Sequence, residues 1–137
     1  MHLLFPILFL LSSVSSPDGF MFENNTNDVF TPISKYIEKG DARSLSAWFA
    51  DNFELSILDN QNDCSRSQGK LIMKEFFLKY KPHKFEIVHK TESSSMKYAL
   101  GILSAGGQSF MVTILVKTHS KGNYIHHIKV RSNNATY

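Results

Sequence analysis

The chain has 137 residues, 42% of them apolar and 20% charged, with a formal net charge of +3. That is one domain's length with enough apolar content for a packed core, which excludes a disordered chain, a membrane bundle and a fibrous repeat. Charge is divided unevenly: residues 1–63 hold three Lys/Arg against nine Asp/Glu, and residues 64–137 hold twelve against three. A basic half of that kind can face an anionic ligand or surface, although its lysines are spaced singly, as on a solvated sheet.

Residues 1–16 read as a signal peptide. The apolar stretch 3–11 is too short for a bilayer-spanning helix, which needs about 20 residues, and Ser13 and Ser15 suit the small positions before a cleavage point near Ser15 or Ser16. No Lys or Arg precedes Lys35, so the basic start of such a leader is missing. The reading places the mature protein outside the cytoplasm, secreted or periplasmic, with no integral membrane segment after leader removal. Residues 17–27 are polar and aperiodic and read as a flexible arm.

The spacing of Phe30, Ile33 and Ile37 predicts a helix over 28–39, stopped by Gly40. Asp41 is placed to cap a second, short helix in which Leu45, Trp48 and Phe49 recur at helical spacing, with Trp48 and Phe49 expected in the core. Alternation of Phe53, Leu55 and Ile57 with polar residues gives a half-buried strand, followed by a polar loop over 59–66. Ser65 and Gln68 form a capping-box signal for a third helix. Its apolar side is expected at Ile72, Phe76 and Tyr80, with Leu71 and Phe77 beside them and Pro82 as the stop. Four strands follow, at 83–91, 96–104, 108–118 and 123–131, with a tail at 132–137. The segments between them are short, so they are antiparallel hairpins; a parallel return needs a dozen or more residues.

This order gives an α+β domain with helices packed on a curved antiparallel sheet. Between residues 28 and 131 it resembles the nuclear transport factor 2-like superfamily, the cystatin-like cone. The local match is Gly40-Asp41, then Leu45, then the aromatic pair Trp48-Phe49, with Gly69 opening the third helix and Phe76-Phe77 within it. With a leader peptide, the chain looks most similar to small secreted bacterial members of unknown function. The resemblance implies three N-terminal helices closing a cone-shaped pocket and a tendency to dimerise through the outer sheet face. It does not imply one reaction, since the same fold holds isomerases, dehydratases, cyclases and proteins without activity.

Enzymes of that fold place an acid/base residue inside the cone. Strict alternation in the last strand puts Tyr124, His126, Ile128 and Val130 on one face, and the apolar pair marks that face as inward. Tyr98, in line with Leu100 and Ile102, is expected to join the inner wall. His126 with Tyr98 or Tyr124 is therefore the candidate acid/base constellation. An inward carboxylate pair is missing from the four-strand block, which speaks against isomerase or glycosidase chemistry. His83, His89, His119, His126 and His127 lack metal-ligand spacing and Cys64 stands alone, so no metal and no cofactor is expected. Lys97, Lys117, Lys129 and Arg131 have too little aromatic company for nucleic-acid binding.

Two functions are carried forward. One is an exported, non-enzymatic binding or assembly module with a small apolar or anionic ligand in the cone. The other is a small-molecule isomerase, dehydratase or cyclase built on His126. A homodimer is expected in either case. The strand 110–116 is apolar on both faces, and the face bearing Met111, Thr113 and Leu115, beside Ala99, Gly101 and Leu103, is expected to be the interface.

Overall fold

The computed structural model describes residues 28–134. The segments expected as leader and arm, and the last three residues of the expected tail, lie outside them. The chain divides into two units, Met1–Thr31 and Pro32–Tyr137. In the first, Asp28 accepts from the Phe30 amide at 3.0 Å and from the Thr31 hydroxyl at 3.1 Å, a side-chain cap at the start of a helix.

That helix, α1, spans Phe30–Lys39. It ends where expected, at Gly40, whose φ of +69° is the left-handed conformation that glycine adopts without strain. Asp41 caps α2 (Ala42–Ser46), accepting from the Ser44 amide at 3.0 Å. Those backbone and hydroxyl donors hold the Asp41 carboxyl below its ordinary value, with Lys39 adding to the effect.

The second helix is only five residues long, and here the structure corrects the sequence. Trp48 sits half-buried in the turn after α2, and Phe49, fully buried, is the first residue of β1 (Phe49–Ile57). The stretch expected to be loop is a second strand, β2 (Asn60–Ser65), paired antiparallel with β1. Its sequence, NQNDCS, shows no apolar alternation because β2 is an edge strand with only Cys64 buried. The turn between the two strands puts Leu58 (φ 47°) and Asp59 (φ 78°) in the left-handed region, a geometry usually announced by Asn-Gly.

Helix α3 (Arg66–Lys79) begins at the anticipated capping box of Ser65 and Gln68. Its buried side is Gly69, Met73, Phe76 and Phe77, so Leu71 is outside at 58% exposure and Ile72 is half-buried. The three helices are thus not all N-terminal: α3 follows the β1–β2 hairpin. Strands β3 (Pro82–Glu92), β4 (Met96–Ala105), β5 (Gln108–His119) and β6 (Gly122–Ser132) form the antiparallel run that the turn spacing implied. The sheet order is β2-β1-β6-β5-β4-β3, closed in the middle by a parallel pairing of β1 with β6.

Phe85, Ala99, Leu103, Phe110, Val112, Ile114, Ile125 and Ile128 make the inner sheet face, all buried. Rings occupy that face. Phe76 of α3 and Tyr80, which caps its end, pack on Phe110 with centroids 5.3 and 5.0 Å apart, and the Phe85 ring lies where a Cβ on Gly101 would stand. Burying such side chains contributes about 1.5–3 kcal/mol each relative to exposure.

Candidate functional site

Strict alternation fails in β6, and the failure builds the site. Leu115 of β5 pairs with His127 and Val116 pairs with Ile125, so one step on β5 spans two on β6 and His126 is left over. On the other side, Phe49 pairs with Ile125 and Glu54 with His127, so β1 takes five steps where β6 takes two. His126 therefore lies between two strands that both change register beside it. Such bulges re-aim side chains and interrupt the ladder. The bulge reverses the expected facing of two residues: Tyr124 and His126 are half-exposed and turned away from the core, Ile125 is buried in their stead, and Ile128 and Val130 are buried as expected.

Where the strands part, a cleft of about 580 Å³ opens, with His126 and Tyr124 in its wall. His119, the last residue of β5, supplies a second imidazole, its Nε2 2.8 Å from Nε2 of His126. The two rings are 5.0 Å apart, and the Tyr124 ring is 6.1 Å from that of His119. Lys121 stands in the β5–β6 turn, held closed at its foot by the Thr118 hydroxyl donating to Asn123 at 2.6 Å. The opposite wall is Asp51 with Arg66, the first residue of α3. The Arg66 guanidinium donates to the Phe49 carbonyl at 3.1 Å and to the Asp51 carboxylate at 3.0 Å. One arginine thus fastens the start of α3 to the bulged part of β1.

Burial holds His126 below the ordinary imidazole value, with Lys117 and His119 pushing the same way. At 2.8 Å the two facing nitrogens need a proton between them, so one carries the proton that the other accepts.

Residues 30–131 match a family described as a domain of unknown function, DUF4783. The chain belongs to the DUF4783 family. The DUF4783 protein of Bacteroides uniformis superposes with a TM-score of 0.75 at 19% identity, over 78% of this chain and 99% of that one. A domain of unknown function with a cystatin-like fold from Nostoc punctiforme gives 0.65 at 9% identity, over 82% and 78%. An NTF-2-like protein of unknown function from Silicibacter pomeroyi gives 0.58 at 14%, over 76% and 92%. No curated protein matches. These likenesses establish the nuclear transport factor 2-like, cystatin-like fold.

In this DUF4783 domain the candidate residues separate. His126 and Tyr124 share the cleft, whereas Tyr98 stands on the outer sheet face and is not in its wall. The inner wall expected of Tyr98, Leu100 and Ile102 is instead Ala99, Gly101 and Leu103, all buried. The outer face runs in three rows across β4, β5 and β6: Ile102–Met111–Arg131, Leu100–Thr113–Lys129 and Tyr98–Leu115–His127. Met111, Thr113 and Leu115 are therefore neighbours of Tyr98, Leu100 and Ile102, not of Ala99, Gly101 and Leu103. The central residues of these rows are half-buried, and Nε2 of His127 is buried with no hydrogen-bond partner.

Sequence reasoning missed Arg66, Asp51 and Lys121. Their meeting depends on a long-range register that no local spacing encodes. Ser120-Lys121, the two-residue loop before Gly122, was the one available signal. Among the described residues no group of three or more His, Cys, Asp or Glu could hold a metal ion, and no helix is long and apolar enough to cross a membrane.

Proposed function

We propose that this domain is an exported, non-enzymatic assembly module that pairs with a second copy of itself through the outer sheet face. The observation that carries the reading is the three-row patch centred on Met111, Thr113 and Leu115. It joins Tyr98, Leu100 and Ile102 to a basic margin of Lys129 and Arg131, and it contains the unpartnered Nε2 of His127. A contiguous apolar patch with a polar rim is the pattern of an interface, and a two-fold axis near Thr113 sets one such face on another.

The same reading is supported by the concave face, where Phe76, Tyr80, Phe85 and Phe110 stand in the space that a cone enzyme keeps for substrate. The alternative enzyme, an isomerase, dehydratase or cyclase, retains His126 with Tyr124 alone. The cleft's one carboxylate, Asp51, is occupied by Arg66. Sedimentation at about 100 μM, a range in which weak specific interfaces are still filled, should give a dimer. Leu115→Lys should give a folded monomer. A parent that is monomeric at that concentration would remove the proposal. Export is checked on material from a native host, where mass spectrometry should find an N-terminus near Ser15 or Ser16; an intact Met1 would contradict it.

A further inference from the structure

We propose that the cleft at the β5–β6 turn binds a small phosphate-bearing anion, gripped by Lys121, Arg66 and the His119–His126 pair. The cleft lies outside the concave face and is separate from the outer-face rows centred on Thr113, so the inference goes beyond the assembly reading.

Three observations carry it. The first is that the site is built by the backbone: β1 and β6 both change register beside His126, and a cleft of about 580 Å³ lies there. The second is the balance of groups in the wall. Arg66 and Lys121 face a single carboxylate, that of Asp51, and Ser120, Tyr124 and Asn52 add hydroxyl and amide donors. Arg66 and Asp51 neutralise each other, so Lys121 leaves one positive charge even with both imidazoles neutral, and each protonated imidazole adds one more. A dianion with several acceptor oxygens matches such a ring of donors; a neutral or cationic ligand does not.

The third observation is the imidazole pair itself. With one proton between the two Nε2 atoms at 2.8 Å, each nitrogen satisfies the other and neither is free for a ligand. The first added proton sits on an outer ring nitrogen and leaves a charge-assisted Nε2–H···Nε2 bond, so the pair gains a positive charge without losing its contact. Lys117 on β5 and Lys121 in the turn oppose that charge, with only Asp51 across the cleft to relieve it. An anion seated in the cleft offsets the repulsion, and once both rings are protonated it accepts from both. Anion and proton are thus taken up together, and each raises the affinity for the other by the same factor. The cleft is an anion site that strengthens as pH falls.

The test uses the full chain and calorimetric titration with inorganic sulfate, whose charge is constant from about pH 5.5 to 7.5, where imidazoles titrate. Saturable binding is expected, tightening about tenfold for each pH unit over which one proton is taken up. Lys121→Ala should weaken binding at every pH and keep the slope. The double variant His119→Gln with His126→Gln should flatten the slope while remaining folded by circular dichroism and unchanged in sedimentation. The last readout separates failure of the cleft from failure of the outer-face interface. Inorganic phosphate should compete with sulfate for the same site. Phosphatidylcholine vesicles with and without phosphatidylglycerol then distinguish the source of the phosphate: capture by the anionic vesicles alone assigns a lipid headgroup, and phosphate binding without capture assigns a soluble ligand. Absence of saturable sulfate binding, a slope that survives in the double variant, or zinc binding that the double variant abolishes while sulfate binding persists would overturn the proposal.

Discussion

His126 shows how one residue's environment follows from the backbone around it. As the extra residue of a bulge it is carried from the core face to a cleft, where burial and the neighbouring Lys117 and His119 hold its pKa down. A histidine whose folded pKa lies below its unfolded value contributes stability above the unfolded pKa of about 6.5, and that contribution is lost as pH falls through the folded value. His126→Gln keeps a hydrogen-bonding side chain for His119 and removes the titration. Urea denaturation of the two proteins in parallel, in buffers free of multivalent anions, should show the parent losing stability relative to the variant below about pH 6.5. Taking the difference cancels the histidines that do not touch His126, and parallel curves down to about pH 4.5 would show that His126 does not titrate as its surroundings require. Trp48 is the opposite case. Helical spacing made it a core residue, but α2 stops at Ser46 and the core position goes to Phe49, the first residue of the strand.

Among the elements, those with local signals were legible and those held by pairing were not. Gly40, Asp41 and the Ser65/Gln68 box placed the end of α1 and the starts of α2 and α3 correctly, because each cap satisfies backbone groups within a few residues of itself. Residues 82–132 gave four strands with the right turns for the same reason. β2 left no trace, since NQNDCS is held to β1 by backbone bonds and buries one side chain. The parallel β1–β6 pairing and its bulge were equally silent, and with them went the cleft: His126 and Tyr124 were read, but on the wrong face and without Arg66 or Lys121. The β1–β2 turn offers a check on this account. Leu58 at φ 47° adopts a conformation that costs a residue with a branched side chain about 1–2 kcal/mol, whereas Asn visits it readily. Leu58→Asn should therefore stabilise the fold by up to about 1 kcal/mol, offset in part by the apolar contact that half-buried Leu58 gives up. A loss of stability on thermal or urea unfolding would mean that the turn is held by Leu58 packing and not by backbone preference.

For the whole molecule, the two sheet faces have different uses. The inner face is closed by rings and branched side chains and holds the domain together by itself, so assembly is not needed to fill it. The outer face is half-buried in a single chain, and pairing with a second copy would take Tyr98, Leu100, Ile102, Met111 and Leu115 out of water together. Removal of that apolar surface adds to the stability of the folded state only when the dimer is populated, which makes apparent stability depend on protein concentration. Disulfide exchange does not enter, because Cys64 is the one cysteine, is 4% exposed, and has its thiol pKa raised by burial and by Asp63. The expected result is a melting temperature that rises by several degrees between about 5 and 500 μM parent protein, with or without reductant, and stays constant for Leu115→Lys over the same range. The parent at its most dilute should approach the variant, since both are then folded monomers differing at one surface position. A melting temperature independent of concentration in the parent would show that the outer face stays solvated, and a rise that persists in Leu115→Lys would place the interface elsewhere.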